Sequence, residues 1–68
     1  LYDRYYPEIF LFVNRRIGDL ELSADLVSQV FLKAMMHLGK YQFKGVPFSA
    51  WLFRIAANQV NEYYRKSK

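Results

Sequence analysis

Sixty-eight residues are enough for one domain and no second one, and a chain this short buries only about 60% of the surface its unfolded form exposes. Its 53% apolar and 19% aromatic content excludes a disordered chain, the lack of cysteine excludes a disulfide framework or a thiolate metal site, and a lone histidine, His37, leaves no zinc set. The net charge of +4 hides an asymmetry: residues 1–32 hold three arginines against five acids, net −2, whereas residues 33–68 hold seven cations against Glu62, net +6.

A basic second half points to a polyanionic partner, nucleic acid ahead of membrane, because the apolar faces look needed for a core. A merely soluble basic surface would give the same count. The longest apolar run, residues 9–13, falls far short of the roughly 20 that span a bilayer, so no membrane insertion is expected. No signal peptide is evident, and a cytoplasmic setting fits. Opening on Leu1 rather than methionine, the chain reads as a piece of something longer.

Periodicity predicts three helices and no strand, an all-α fold. The first covers about residues 1–17, with Tyr5, Ile9, Phe12, Val13 and Ile17 on one stripe and Gly18-Asp19 as its stop. Pro7 either sits in its first turn or kinks it. The second covers about residues 23–38, capped by Ser23, with Asp25 at the positive end of its dipole and Gly39 at its end. It should bury Val27, Val30, Phe31, Ala34 and Leu38. Its opposite face carries Asp25, Gln29, Leu32 and Met36 at i, i+4, i+7 and i+11, flanked by Ser28 and Met35. A solvated back face should be charged; apolar anchors beside an acid and an amide suit docking to another protein, unless a neighbouring helix covers them.

Residues 39–48 form a loop broken by Gly45 and Pro47, and Ser49 caps a third helix over about residues 50–66. That helix gathers Leu52, Phe53, Ala56, Ala57, Val60, Tyr63 and Tyr64 on one side. Arg54, Asn58, Asn61 and Arg65 follow one another along the other, again at i, i+4, i+7 and i+11. Arginines hold phosphates and asparagines pair with base edges, although exposed helix faces are usually polar in any case. Trp51 and Ile55 project between the two sides; the tryptophan serves either as a core plug or as a wedge against an unpaired base. In the loop, Tyr41, Phe43 and Phe48 supply flat faces and Lys40 and Lys44 supply charge. Aromatics interleaved with cations are how proteins hold single-stranded or rotated-out bases. The same rings could instead fold back as a lid, the favoured alternative for Phe48.

Taken together, "SADLVSQVFLKAMMHL" and "PFSAWLFRIAANQVNEYYRK" resemble region 2 of bacterial sigma factors, in the extracytoplasmic-function (ECF) group of the sigma-seventy family. The resemblance covers the whole chain, since "LYDRYYPEIFLFVNRRIGD" looks like that group's first helix. It implies a domain that docks on the β′ clamp helices of RNA polymerase and opens the minus-ten promoter element. By position, Asp25, Ser28, Gln29, Leu32 and Met36 would form the polymerase face. The loop from Lys40 to Phe48 would hold a flipped base of the non-template strand, and Arg54, Asn58, Asn61 and Arg65 would lie along promoter DNA. An anti-sigma factor is an implied further partner. Gln29 and Ala24 stand where that family usually has acids, Gln59 and Tyr64 where aliphatic residues are usual, and Glu62 replaces the common aspartate. The family's second domain, a helix-turn-helix, is missing from the chain.

Other classes fare less well. An enzyme is not expected: His37 has no positioned serine or cysteine partner, and no Gly-rich phosphate cradle or cofactor motif is present. The alternatives that stay open are a helical protein-interaction module that binds a regulator without touching DNA, and major-groove binding by the third helix. No short turn with paired helices supports the latter.

Overall fold

The computed structural model describes residues 2–40 and 47–67, with side chains from Arg4 to Gly39 and from Pro47 to Ser67. Three helices follow in order: α1 (Tyr2–Ile17), α2 (Leu20–His37) and α3 (Phe48–Lys66), with a 3-10 turn at Leu38–Lys40 behind α2. Each helix packs against the other two, and the all-α expectation holds.

The α1–α2 junction is only two residues long. Gly18 adopts φ +77°, and its N–H donates to the Asn14 carbonyl at 2.8 Å, closing α1. Glycine enters that left-handed region without the Cβ penalty. Asp19 does not prolong the stop: its extended backbone (φ −134°, ψ 120°) and carboxylate, which accepts from Leu22 N–H at 3.0 Å, make it the N-cap of α2. The expected cap, Ser23, is therefore wrong by one turn. The Leu20-Glu21-Leu22 stretch favours helix and extends α2 backwards. Ser23 lies fully buried instead, and its hydroxyl donates to Asn14 Oδ1 at 2.9 Å, tying α2 to α1. Pro7 is accommodated beyond the first turn, inside α1, where its missing N–H removes one helical hydrogen bond.

The start of α3 also departs from expectation. Pro47 holds the N-cap position without a side-chain hydrogen bond, and its carbonyl accepts from Trp51 N–H at 3.2 Å. Ser49 falls inside the first turn and caps nothing. Proline's fixed φ already suits helix entry, so the helix begins immediately behind it.

The core consists of Ile9 and Val13 from α1, five residues of α2 (Leu26, Val27, Val30, Phe31, Ala34), and Leu52, Ala56 and Val60 from α3. Burying each large aliphatic is worth about 1.5–3 kcal/mol. Tyr5, Phe12 and Ile17 pack half-buried against this centre, so the whole α1 stripe faces inward. Phe12 meets Phe53 edge-on at 5.3 Å, and Tyr6 stacks on Phe31 at 6.2 Å. Two expected core assignments change and one residue is added. Leu38 is 43% exposed: as the C-cap of α2 it keeps helical angles (φ −59°, ψ −37°) but lies at the rim of the bundle, beside a hollow lined by Phe31 and Ala34. Tyr64 is 44% exposed, its hydroxyl donating to the Arg16 carbonyl at the end of α1. Leu26, unassigned in the sequence, is buried beside Ser23 and Val30, widening the inner stripe of α2.

Candidate nucleic-acid and partner interfaces

With its inner stripe committed to the core, α2 turns Asp25, Ser28, Gln29, Leu32 and Met36 outward. All five are exposed, and neither α1 nor α3 covers them. Leu32 is 60% exposed and Met36 68%, with Met35 beside them at 73%. Large apolar side chains facing water in a row mark a surface with a further use. Asp25 forms no ion pair among the described residues. Gln29 is engaged, its Oε1 accepting from Gln59 Nε2 of α3 at 2.5 Å.

On α3, Arg54, Asn58, Asn61 and Arg65 are all exposed and fall within about 60° of one another around the helix. None of the four side chains makes a hydrogen bond or ion pair among the described residues, so their donors are open to a ligand. The acid of this helix, Glu62, is held on another side by Lys33 of α2 at 3.8 Å and by Lys66 at 3.7 Å. Elsewhere, Arg16 lies over the Phe12 ring with its guanidinium carbon 3.9 Å from the centroid, and Arg4 sits 5.9 Å from that of Tyr5. Arg54 and Arg65 of α3 make no ring contact among the described residues, and neither does Arg15 of α1.

At the N-terminal end of α3 the aromatic residues are distributed between bundle and surface. Trp51 is half-buried on the flank of the arginine–asparagine stripe, between it and the core side. Phe48 is half-buried too, with its ring 5.6 Å from Tyr5 and 5.5 Å from Trp51. It also borders an apolar hollow of about 30 Å³ with Phe31, Ala34, Met35, Leu38 and Leu52, far too small for a base. Phe48 therefore packs on the bundle in the manner of a lid. Tyr41, Phe43, Lys44 and the side chain of Lys40 lie outside the described residues.

One polar residue, set apart in the sequence only as standing where the resembled family has an aliphatic, is buried. Gln59 is 4% exposed among the core residues of α3, in the wall of a groove of about 270 Å³ between α2 and α3. Its position, three residues after Ala56 and seven after Leu52, put it on the buried side by spacing alone. An amide at such a position was the signal to follow. Among the described residues, no helix is long and apolar enough to cross a membrane.

The described residues thus form a three-helix domain with one apolar-and-acidic outer face and one exposed arginine–asparagine stripe. The chain belongs to the Sigma-70 region 2 family, whose family model matches residues 1–68. It is 34% identical over 68 residues to the ECF RNA polymerase sigma factor BldN of Streptomyces coelicolor, a match covering 100% of this chain and 26% of the relative. It is 31% identical over 68 residues to the ECF RNA polymerase sigma factor SigM of Bacillus subtilis, covering 100% of this chain and 40% of the relative. A third relative, the ECF RNA polymerase sigma factor SigW of Bacillus subtilis, is 29% identical over 66 residues, 97% of this chain and 35% of its own length. The chain thus spans between a quarter and two fifths of the length of these relatives. No solved structure matches it.

Proposed function

We propose that the chain is the promoter-recognition and promoter-melting domain of an ECF sigma factor, acting in transcription initiation in a bacterial cytoplasm. In this reading the outer face of α2 docks on the β′ clamp helices of RNA polymerase. Leu32 and Met36 are its apolar anchors, and Asp25, Ser28 and Gln29 its orienting groups. The α3 stripe runs along the minus-ten element, Arg54 and Arg65 on phosphates and Asn58 and Asn61 on base edges. Lys40, Tyr41, Phe43 and Lys44, with Trp51 and Phe48 beside them, would take one non-template base out of the stack. Stacking of that kind contributes about 1–3 kcal/mol per base.

The observation that carries the reading is that all four stripe residues of α3 are exposed with unengaged side chains while α2 presents a chemically different exposed face. The apolar anchors of α2 also suit an anti-sigma factor, which would compete with polymerase for the same face. A pure protein-interaction module would leave the α3 stripe without a role.

The test is binding of the chain, with polymerase core present, to the non-template strand of a minus-ten element and to its complement, read by fluorescence anisotropy. The non-template strand should bind more tightly. Equal affinity for both strands would remove base readout from the reading.

A further inference from the structure

We infer that the groove between α2 and α3 is a pocket for an arginine side chain presented by a protein partner. The inference deepens the docking reading of α2 and rests on it for the kind of partner. It starts from Gln59, which is 4% exposed and whose Oε1 is enclosed without a hydrogen-bond partner among the described residues. The Nε2 of the same amide is already spent on Gln29 Oε1. An enclosed carbonyl oxygen with no donor is unfavourable, and a leucine beside Leu52, Ala56 and Val60 would avoid it. Stability alone therefore does not account for an amide here.

The rest of the groove has the same bias. Asp25, Gln29, Gln59, Glu62, Tyr63 and Lys66 line it. Glu62 is shared between Lys33 and Lys66, which occupies the lysine of the lining. The carboxylate of Asp25 has no ion pair among the described residues. What remains unspent is mostly acceptor: the exposed Asp25 carboxylate and, behind it, the Gln59 oxygen, which is closed to solvent and meets a ligand when the Gln59 side chain turns toward the groove. A complementary ligand must donate in several directions at once and carry positive charge. Guanidinium does both, with five N–H donors fixed in one plane and no acceptor. Its flat face also suits the half-buried Tyr63 ring. An ammonium offers three donors from a single, more strongly hydrated point and is the poorer fit. A nucleic-acid backbone would bring phosphates against carboxylates, so the groove favours protein.

The experiment titrates the ¹⁵N-labelled chain with N-acetyl-arginine amide and with N-acetyl-lysine amide, following the side-chain amide signals of Gln29 and Gln59. The arginine compound should give a saturable shift at both, and the lysine compound a several-fold weaker response. Gln59→Leu should weaken arginine binding roughly tenfold, equivalent to about 1.4 kcal/mol, without lowering the melting temperature. Asp25→Asn, at an exposed position, should weaken it as well and decides the matter should Gln59→Leu fail to fold. An equal response to lysine, or unchanged binding in the variants, overturns the pocket. Polymerase is absent from the titration, so a failure here leaves docking on the α2 face standing, and a failure of docking leaves the pocket standing.

Discussion

Gly18 and Asp19 divide one task between them. The glycine ends α1 by adopting a φ of +77°, and the aspartate starts α2 by accepting the Leu22 N–H. A Cβ added at Gly18 would meet no atom within 4 Å, so the demand for glycine is purely conformational. Asp19→Ala should cost about 1 kcal/mol of stability, and Asp19→Asn much less because it keeps an acceptor; urea denaturation of the two variants checks this. Which residue caps α2 was only partly visible in the sequence. Asp19 and Ser23 are both good caps on residue type. What decides between them is that Leu20-Glu21-Leu22 can coil and that Ser23 finds Asn14 across the bundle, a contact nine residues away that local pattern does not encode.

At the scale of the helix, spacing was informative for both outer stripes, up to Met36 and Arg65 in the last turns. The exposed positions of both stripes, Asp25 to Met36 and Arg54 to Arg65, follow directly from 100° per residue. Leu38 at the C-cap of α2 and Tyr64 in the last turns of α3 are more exposed than the period implies, whereas Gln59 obeys the period and departs only in being a polar residue at a core phase. Two substitutions exploit the separation of the faces. Asp25→Arg should weaken association with a β′ clamp fragment about tenfold or more, roughly 1.4 kcal/mol, by reversing a charge at the docking face. Retained association in a pull-down would show that docking uses another face. Asn58→Ala should weaken promoter-strand binding by about 1–3 kcal/mol and leave clamp association intact. Asn58 is exposed, with its side chain unbonded among the described residues, so its removal should change stability by no more than about 0.5 kcal/mol; simultaneous loss of both activities would mean the fold had been disturbed.

The whole molecule measures 35 × 25 × 18 Å, whereas charges in physiological salt are screened over about 8 Å. The acidic and basic regions therefore act as separate electrostatic objects despite the small size of the bundle. Residues 1–32 with their net −2 supply α1 and most of the α2 face, and residues 33–68 with their net +6 supply α3 and the segment before it. The two proposed activities should then respond differently to salt. Each phosphate neutralised on a single strand contributes a slope of about −0.7 in log K against log salt concentration. Arg54 and Arg65 together should account for about −1.4 of the DNA slope. Docking through Leu32 and Met36 is dominated by apolar contact and should be much flatter. The measurement is a salt series of both affinities for the parent chain and for Arg54→Gln combined with Arg65→Gln. The double variant should lose about 1.4 from the DNA slope and nothing from the docking slope. An unchanged DNA slope would place the phosphates elsewhere, leaving the lysines around the loop as the cations that hold the strand.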